Sequence, residues 1–566
     1  MIHRLLITIL LAAIPMLATP SRAQTPSSDV AVGVFPFLVG NMDSRVNEIA
    51  TNCQSHGIDT LYVSVFRTTG ANTGDLWITD SAGSWNSSWG PVRPGGAGIN
   101  LPSLIAACHA VNVRVVAVFK CFADTVQPDN AAHRQYLLDV VDYFMDAYQP
   151  SGQPVYDLDG FALDYVRYVG SSNANPTNVT NFVRDVRQHI GGLSLHAYLI
   201  ANRYTFDGPT YNGSFASYSS VISGLSSQFG QHWEQLAVYL DVLMPMTYTA
   251  DGSIYSTYAL HQAYCRQAAA YARTACQLAG HPTRRVCNVV RTYTGSGETT
   301  TTSTIDASIT GSLLGGADGY QSFRYQFLVG NPSWWTPMSA WAVPGCNWPK
   351  PVLSLGASRL TLAANPTLST DVDEPSTMLQ ARFDYDGDGT FDTAWLANAG
   401  TSALARHPGP WTAMLQIKDS QGHVGATRRR FTAGTALAVF PGSVSTGNGG
   451  AVNVTLDVGT AGAGDVYLAL GSLSGTSPGF EFAPGFPVPL NYDFLTGALA
   501  TAPNSAFLNG GLGTFDGNGR ATATLLLPAG VATPFAGQTV HWSFVAITPF
   551  GAPACVGDSK PMLLLP

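Results

Sequence analysis

The feature that most constrains the fold is a unit that repeats between Val32 and about Pro344. Each unit begins with a short apolar run and continues with a longer segment of helical periodicity. Strands that alternate with helices form parallel sheets, and eight units fit a (β/α)8 barrel of ~250 residues or more. We therefore predict this α/β fold, a TIM barrel. The eight runs are residues 30–39, 58–66, 114–121, 159–169, 194–201, 240–248, 284–293 and 318–328.

A doubly wound open sheet is the alternative fold for the same alternation of strands and helices. Its expected mark is a GxGxxG turn after the first strand, where the glycines let the backbone approach a phosphate. The chain has VGNMDS at residues 39–44, which lacks that spacing. The barrel is therefore favoured.

The helical pattern stops near Pro351, and short alternating strands between glycine-rich turns follow. The fold class predicted for the whole chain is a TIM barrel followed by two all-β, sandwich-like modules. Composition changes place the divisions at 1–23 for a signal peptide, 24–350 for the barrel, 351–433 for an Ig-like β-sandwich and 434–566 for a C-terminal β-sandwich.

The N-terminus has the form of an export signal. His3 and Arg4 precede the apolar run LLITILLAAIPMLA, and Ser21-Arg22-Ala23 offers a small-residue cleavage site. No later segment supplies ~18 uninterrupted apolar residues, so we predict no membrane span. The expectation is a mature protein that is secreted or held at the cell surface.

The charge balance argues against a nucleic-acid partner. Charged residues make up 11% of the chain, the net charge is −8, and no basic stripe is present. An oxidising compartment would favour disulfides among the eight cysteines. We predict one or two bridges, with buried thiols as the alternative; the candidates are Cys53 with Cys108, and the group Cys265, Cys276 and Cys287.

The stretch VYDLDGFALDYVRYV, residues 155–169, carries the main candidate for chemistry. Successive side chains of a strand face opposite sides, so Gly160, Ala162 and Asp164 share one face, and the large Phe161 and Leu163 share the other. Large apolar groups belong against the outer helices, which aims Asp164 into the barrel at the carboxyl end of the fourth strand. Barrel enzymes build their active sites at that end.

Two stretches carry a family resemblance. HRQYLLDVVDYFMDAY (133–148) and YDLDGFALDYVRY (156–168) resemble the glycosyl-hydrolase-like family 10 group, which implies a carbohydrate-active barrel over about residues 32–345. The chain departs from that group at Ala162, where relatives often have His, and at MPMTY (244–248). A more distant likeness is to family 18 chitinases, although Val166 stands where their acidic glutamate would be.

Glycoside hydrolysis ordinarily needs two carboxyl groups flanking the bond. The candidates for the second are Asp124 after strand three, Asp251 after strand six and Glu298 after strand seven, all at the same end of the predicted barrel. Strand five offers no acid at its exit.

Other rim residues complete a candidate sugar site. Arg67, Arg167, Tyr248 and Arg291 follow predicted strands, where they would bind hydroxyl groups or keep Asp164 ionised, because a nearby cation lowers the pKa of a carboxyl group. Aromatic rings at a rim offer flat faces for sugars, and we name Trp77 as substrate-binding. Further aromatic candidates in rim loops are Trp85, Trp89, Trp334 and Trp335.

The segment ARFDYDGDGTFDTAW (381–395), with the later WTAMLQIKDSQGHVGATRRRFT, resembles a PKD-type Ig-like module. Its acids Asp384, Asp386, Asp388 and Asp392 have the alternate spacing of a calcium loop, although Trp395 replaces the bidentate Glu of an EF-hand. A structural calcium ion is one interpretation, and a metal-free Asp-Gly turn is the other. No cofactor is expected for catalysis.

These observations predict a secreted enzyme that hydrolyses glycosidic bonds of a polysaccharide or oligosaccharide, with Asp164 as nucleophile or general base. The β-modules would associate it with polysaccharide or the cell surface. The alternative is a non-catalytic glycan-binding or cell-surface protein built on a degenerate hydrolase barrel. A peptidase is disfavoured because the chain has neither an HExxH nor a GxSxG motif.

Overall fold

The computed structural model describes residues 29–36, 39–79, 85–122, 126–169, 173–201, 215–247, 257–294, 299–341 and 348–566. Eight parallel strands close into a barrel, which confirms the predicted fold: β1 pairs with both β2 and β9, and β3 is an antiparallel addition to β2. The strands are β1 (Asp29–Val34), β2 (Thr60–Gly70), β3 (Thr73–Leu76), β4 (Arg114–Lys120), β5 (Gly160–Asp164), β6 (Ser194–Ile200), β7 (Val242–Met246), β8 (Arg285–Arg291) and β9 (Gly319–Phe323).

The helices between these strands cover the outer wall. Several begin at a side-chain cap, for example α3 at Asn130, whose Oδ1 accepts a hydrogen bond from the backbone N–H of His133 at 3.0 Å. The described helices of this region are α1 (Val46–Ser55), α2 (Leu101–Ala110), α3 (Ala131–Met145), α4 (Pro176–Ile190), α5 (Tyr218–Phe229), α6 (Trp233–Ala237), α7 (Tyr258–Leu278), α8 (Thr302–Leu314), α9 (Tyr325–Gly330) and α10 (Trp335–Ser339).

Alternation along the strands sorts side chains between the two sides of the wall. Phe161 of β5 packs edge-on against Phe119 of β4, with ring centroids 5.4 Å apart, and Phe119 packs against Phe144 of α3 at the same distance. These rings therefore face the helices. In contrast, His196 of β6 hydrogen-bonds Tyr62 of β2 across the interior at 2.7 Å.

Four carboxylates tie the barrel strands together at their amino ends. In each case the Asp residue just before one strand accepts a hydrogen bond from a backbone N–H at the start of the neighbouring strand, at 2.7–2.9 Å. Pairs of neighbouring strands are thereby linked four times around the barrel. The pairs are Asp59 with Val30, Asp159 with Val115, Asp241 with Leu195 and Asp318 with Val286.

Several strands are shorter than predicted. β1 ends at Val34, β5 ends at Asp164, and the run after Phe323 turns into helix α9. At β5 the reason is local: Tyr165 has a φ of 53°, which breaks the extended conformation. The hairpin partner β3 was not predicted.

The segment after the barrel forms two sheets that share one core, in which Leu362 of one sheet packs with Phe383 and Leu415 of the other. This is the predicted sandwich architecture. Its strands are β10 (Ser354–Ser358), β11 (Thr361–Asn365), β12 (Gln380–Asp384), β13 (Leu396–Ala397), β14 (Thr401–Leu404), β15 (Gly409–Lys418) and β16 (Val424–Ala433).

A second pair of sheets follows, with a core that joins Val454 and Ala523 of one sheet to Ala469 and Phe544 of the other. Its elements are β17 (Leu437–Phe440), β18 (Ser443–Ser445), β19 (Gly450–Asp457), β20 (Val466–Ser472), β21 (Phe480–Ala483), β22 (Phe486–Val488), helix α11 (Phe494–Thr501), β23 (Leu508–Asn509), β24 (Leu512–Thr514), β25 (Arg520–Leu527), β26 (Thr539–Ile547), β27 (Pro553–Val556) and β28 (Lys560–Leu565).

The first β-module covers the amino end of the barrel. Arg428 of β16 is 1% exposed, and its guanidinium donates to the carbonyl oxygens of Phe144 at 3.0 Å and Met145 at 3.3 Å. Gln416 of β15 donates to the carbonyl oxygen of Gly192 at 2.5 Å. The module therefore packs on the face opposite the candidate site.

The predicted disulfides are absent among the seven cysteines that the structure describes. All seven are buried, and burial raises the pKa of Cys53, Cys108 and Cys555. They pack as small apolar groups, the alternative considered for them. Cys346 lies outside the described residues. Across the described ranges, no helix is long and apolar enough to cross a bilayer.

Candidate functional site

Asp164 ends β5 at the carboxyl end of the barrel. It pairs in register with Lys120, the last residue of β4, which in turn pairs with Arg67 of β2. Ala162 pairs in the same way with the inward-facing His196, so Asp164, two residues further on, also faces inward. The strand geometry predicted for Asp164 is therefore the geometry observed.

Tyr165, the next residue, holds the carboxylate of Asp164 in place. Its backbone N–H donates to Asp164 Oδ1 at 2.7 Å. The left-handed φ of 53° is costly for a residue with a bulky side chain, and such strain is concentrated at functional sites. The turn that ends the strand thus also orients the acid.

Two cations share the ring of Tyr165. Lys120 Nζ lies 4.3 Å from the ring centroid, and the Arg167 guanidinium lies 4.0 Å from it. Arg167 Nη1 is buried and has no acceptor within the described part of the chain. The candidate carboxylate is therefore flanked by positive charge and an aromatic surface.

Burial nevertheless decides the titration of Asp164. Desolvation raises the pKa of its carboxyl group above the ordinary value, and this outweighs the lowering by Arg167, the Tyr165 N–H and Lys120. The sequence had led us to expect cations that keep Asp164 ionised. Arg167 lowers the pKa of Asp164, as expected, but the raising by desolvation is larger.

Arg67 makes contacts of its own at the end of β2. Its Nε donates to Asp75 Oδ2 at 2.8 Å, and its guanidinium lies 5.1 Å from the ring centroid of Trp77. Trp77 itself is only 4% exposed. The structure thus places Arg67 at the rim and Trp77 in the core, so the predicted role of Trp77 as a sugar platform is not retained.

A second group of cations and aromatic rings lies at the ends of β8 and β9. The Arg291 guanidinium lies 4.4 Å from the ring of Tyr293, and that of Arg324 lies 4.8 Å from the ring of Phe327 and 5.6 Å from the ring of Phe323. Tyr293 packs against both phenylalanines. Burial lowers the pKa of Arg324, and its Nε has no acceptor among the described residues.

The remaining rim tryptophans belong to the outer wall and the core. Trp85 and Trp89 pack edge-on against each other with centroids 5.2 Å apart, and they contact Tyr143 and Tyr136 of α3. Trp334 and Trp335 are 8% and 5% exposed. The position of a tryptophan in a loop therefore does not show whether its ring is open to a ligand or packed against a helix.

Four residues predicted for the site lie outside the described residues: Asp124, Asp251, Glu298 and Tyr248. In the other direction, sequence reasoning missed Lys120, Tyr165 and Arg324. Lys120 ends the third apolar run and Arg324 interrupts the eighth, so a search for charged residues at every strand exit would have found both.

The acidic turn of the first β-module has a geometry that fits a cation. Carboxylate oxygens of Asp384, Asp386 and Asp388 all lie within 4.8 Å of one another. Burial and the two neighbouring acids raise the pKa of Asp384 to about 7. Oxygen ligands of this kind suit calcium, but Arg406 already pairs with Asp386 at 2.5 Å.

The same turn also has a metal-free explanation. Asp384 accepts hydrogen bonds from the backbone N–H groups of Gly387 and Gly389 at 2.7 and 2.9 Å, and both glycines have positive φ angles, 71° and 86°. Asp392 accepts from the N–H of Tyr385 at 2.7 Å, which draws it into the turn.

Comparison with known proteins gives no family model and no curated protein that matches the sequence. Among solved structures, the chain is similar to an endo-beta-1,4-mannanase from Thermotoga petrophila, at 11% identity over 72% of this chain and 97% of that one, with a TM-score of 0.38. It is also similar to the PgaB (BpsB) glycoside hydrolase domain from Bordetella bronchiseptica, at 10% identity over 55% and 98%, with a TM-score of 0.36.

The β-module is similar to the PKD1 domain of Vibrio anguillarum Epp, at 20% identity over 15% of this chain and 93% of that one, with a TM-score of 0.13. Because these scores and identities are low, the barrel assignment rests on the strand order of this chain, and an activity must be argued from its site.

Proposed function

We propose that this protein is a secreted glycoside hydrolase that acts on a polysaccharide or oligosaccharide. One observation carries the proposal: the half-buried carboxylate of Asp164 faces inward at the carboxyl end of β5, held by Tyr165 and flanked by Lys120 and Arg167. A carboxyl group placed and tuned in this way is suited to acid–base or nucleophilic work on a bound sugar.

Two roles of Asp164 are compatible with this position, nucleophile and general base. The raised pKa disfavours the nucleophile, which must be ionised, and is compatible with proton transfer by Asp164 as the general base. In this mechanism Asp164 accepts a proton from water as the water attacks the sugar carbon. A second carboxyl group protonates the leaving oxygen.

We propose Asp251 or Asp124 as the second carboxyl group, with Glu298 as the further candidate. Each follows a barrel strand in the sequence, after β7, β4 and β8 respectively, and the carboxyl ends of parallel strands meet at one rim. The export signal at 1–23 and the two β-modules support a role outside the cell, on polysaccharide or at the cell surface.

The test is Asp164→Asn, assayed with the wild type for release of reducing ends from a panel of polysaccharides. We expect cleavage to fall by about 10²–10⁴-fold, the usual contribution of a positioned acid or base. Asp185→Asn is the matched control, since Asp185 lies on α4 and pairs with the adjacent Arg184. Equal activity of wild type and Asp164→Asn would refute the assignment.

A non-catalytic glycan-binding protein is the second candidate. It is favoured by the observation that, within the described residues, the other acid identified at this rim, Asp75, is already paired with Arg67. If the wild type binds glycans but cleaves none on the panel, this second function replaces the first.

A further inference from the structure

The cations at the barrel mouth point to the charge of the ligand. Five described cations lie at or just after the carboxyl ends of barrel strands: Arg67 (β2), Lys120 (β4), Arg167 (after β5), Arg291 (β8) and Arg324 (after β9). Two described carboxylates, Asp75 and Asp164, lie at comparable strand ends, and Asp43 and Asp129 lie further along the loops after β1 and β4. Among the described strand ends of this rim, five cations therefore stand against two carboxylates, in a chain with a net charge of −8.

Four of these cations form two groups that face each other. β4 and β5 are third and fourth around the barrel, counted from β1, and β8 and β9 are seventh and eighth. Strands four positions apart lie on opposite sides of an eight-stranded barrel. Lys120 and Arg167 therefore stand across the mouth from Arg291 and Arg324, with the Asp164 carboxyl in the first group.

Within each group, the cation packs on an aromatic ring and retains unused donors. Arg167 Nη1 and Arg324 Nε are buried, and neither has an acceptor in the described ranges. A buried N–H group without an acceptor carries a desolvation penalty that a ligand oxygen would remove. A planar guanidinium suits carboxylate and similar oxyanions, to which it can donate two parallel hydrogen bonds.

We propose that the barrel mouth binds anionic glycans, whose carboxylate or ester-sulfate groups contact Arg167 and Lys120 on one side of the mouth and Arg324 and Arg291 on the other. This inference takes from the proposed function only the assumption that the barrel mouth binds a glycan. It adds that the glycan is anionic. A second catalytic carboxylate at the rim would still leave the cations in excess. Hydroxyl groups of a neutral chain could accept from the buried donors, but they would leave the positive charges without counter-charges.

The test measures binding of the full chain, as wild type and as Asp164→Asn, to polygalacturonate, dextran sulfate, neutral galactomannan and cationic chitosan. We expect an anionic glycan to bind about tenfold or more tightly than galactomannan, and this preference to weaken as salt shortens the range of charge interactions. A tighter complex with polygalacturonate would assign carboxylate sugars, and one with dextran sulfate would assign sulfate esters.

Arg167→Gln and Arg324→Gln should each reduce anionic-glycan affinity about tenfold, the effect of one lost charge-assisted contact. Arg184→Gln is the matched control, because Arg184 is 42% exposed on α4 and lies apart from the mouth. Arg324→Lys keeps the charge but loses the planar pair of donors, so it should recover only part of the affinity lost in Arg324→Gln. Thermal unfolding verifies that each variant is folded. Affinity losses no larger than that of Arg184→Gln would overturn the inference.

The outcomes separate this inference from the proposed function. Binding of anionic glycans without cleavage of any glycan supports the inference and refutes the hydrolase. Cleavage of galactomannan or chitosan in preference to anionic glycans keeps the hydrolase and overturns the inference.

Discussion

The acidic side chains at the two ends of the barrel have different surroundings. At the amino end, Asp59, Asp159, Asp241 and Asp318 each accept a backbone N–H, and Asp241 also pairs with Arg187 and Arg284. At the carboxyl end, Asp164 has a raised pKa, and Arg167 Nη1 and Arg324 Nε have no acceptor among the residues that the structure describes. The four acids at the amino end are paired within the fold, whereas Asp164 and Arg167 at the carboxyl end are groups for which we propose a ligand.

The pKa shifts report the same difference. Although burial opposes ionisation of Asp241, Arg187, Arg284 and the N–H of Leu195 lower its pKa overall. Asp164 is half-buried, and there Arg167, the N–H of Tyr165 and Lys120 do not offset the raising of its pKa by desolvation. The groups around each acid, rather than its position at a strand end, therefore set the direction of its pKa shift.

The largest stability effect is expected where the first β-module covers the amino end. Arg428→Met removes the donors to Phe144 and Met145 and should lower the free energy of unfolding by about 2–4 kcal/mol, since buried carbonyl groups lose charge-assisted partners. Calorimetry should then show the module unfolding before the barrel. Arg430→Met is the control, because Arg430 is exposed on the same strand; equal losses in both variants would contradict this role.

Asp241→Asn should have the next largest effect on stability. It leaves two arginines without a counter-charge at a partly exposed site, and we expect a loss of about 1–3 kcal/mol in denaturant unfolding at neutral pH. The pKa of Asp241 is lowered in the folded state, so its contribution is present above the ordinary carboxyl pKa and is lost as pH falls through the folded value. The variant should therefore lose less stability on acidification than the wild type.

Substitution of Asp164 should have the opposite effect on stability. Because its pKa is raised by folding, its ionisation opposes stability as pH rises, and Asp164→Asn should unfold at the same temperature as the wild type or higher at neutral pH. A marked fall in melting temperature would make Asp164 a structural residue like Asp241 and remove the contrast between the two ends.

Arg167→Gln tests the assignment of Asp164 through the pH dependence of the reaction. Arg167 lowers the pKa of Asp164, so its removal should raise that pKa further and move the acidic limb of the kcat/KM profile to higher pH. The comparison uses whichever glycan the wild type cleaves. An unchanged limb in Arg167→Gln, with activity retained, would show that Asp164 is not the group whose ionisation limits the reaction.

The smallest effect concerns calcium in the first β-module. If the ion binds Asp384, Asp386 and Asp388, calcium should raise the melting temperature of the wild type by a few degrees and leave Asp388→Asn unchanged. The pKa of Asp384 is about 7, so the shift should be larger near pH 8 than near pH 6, because protons compete with the ion. The same melting temperature with calcium and with chelator would favour the metal-free turn.

Much of the fold could be predicted because strand and helix periods are local properties. The eight apolar runs located the eight barrel strands, and alternation along β5 gave the inward direction of Asp164. The strand ends were less predictable. At β5 the end depends on the left-handed conformation of Tyr165, which the local sequence does not dictate.

The errors have a common cause. Trp77, Trp334 and Trp335 are predicted at the rim from loop position, but each is buried. Trp335, for example, stacks on His56 of the segment after α1, which is distant in the sequence. The cysteines were paired by compartment and spacing, and the structure instead buries the seven that it describes in separate packing positions. Side-chain burial depends on partners that a linear pattern does not identify.

The sequence by itself determined the parallel barrel, the all-β modules and the aim of Asp164, because each follows from periodicities of a few residues. Only the tertiary structure decided how charge is shared between the two ends. The pairing of Asp241 with Arg187 and Arg284 joins residues from separate elements of the barrel. The same is true of the cations around the mouth, Lys120, Arg167, Arg291 and Arg324. Barrel closure brings them together, and charge interactions depend on that distance in space.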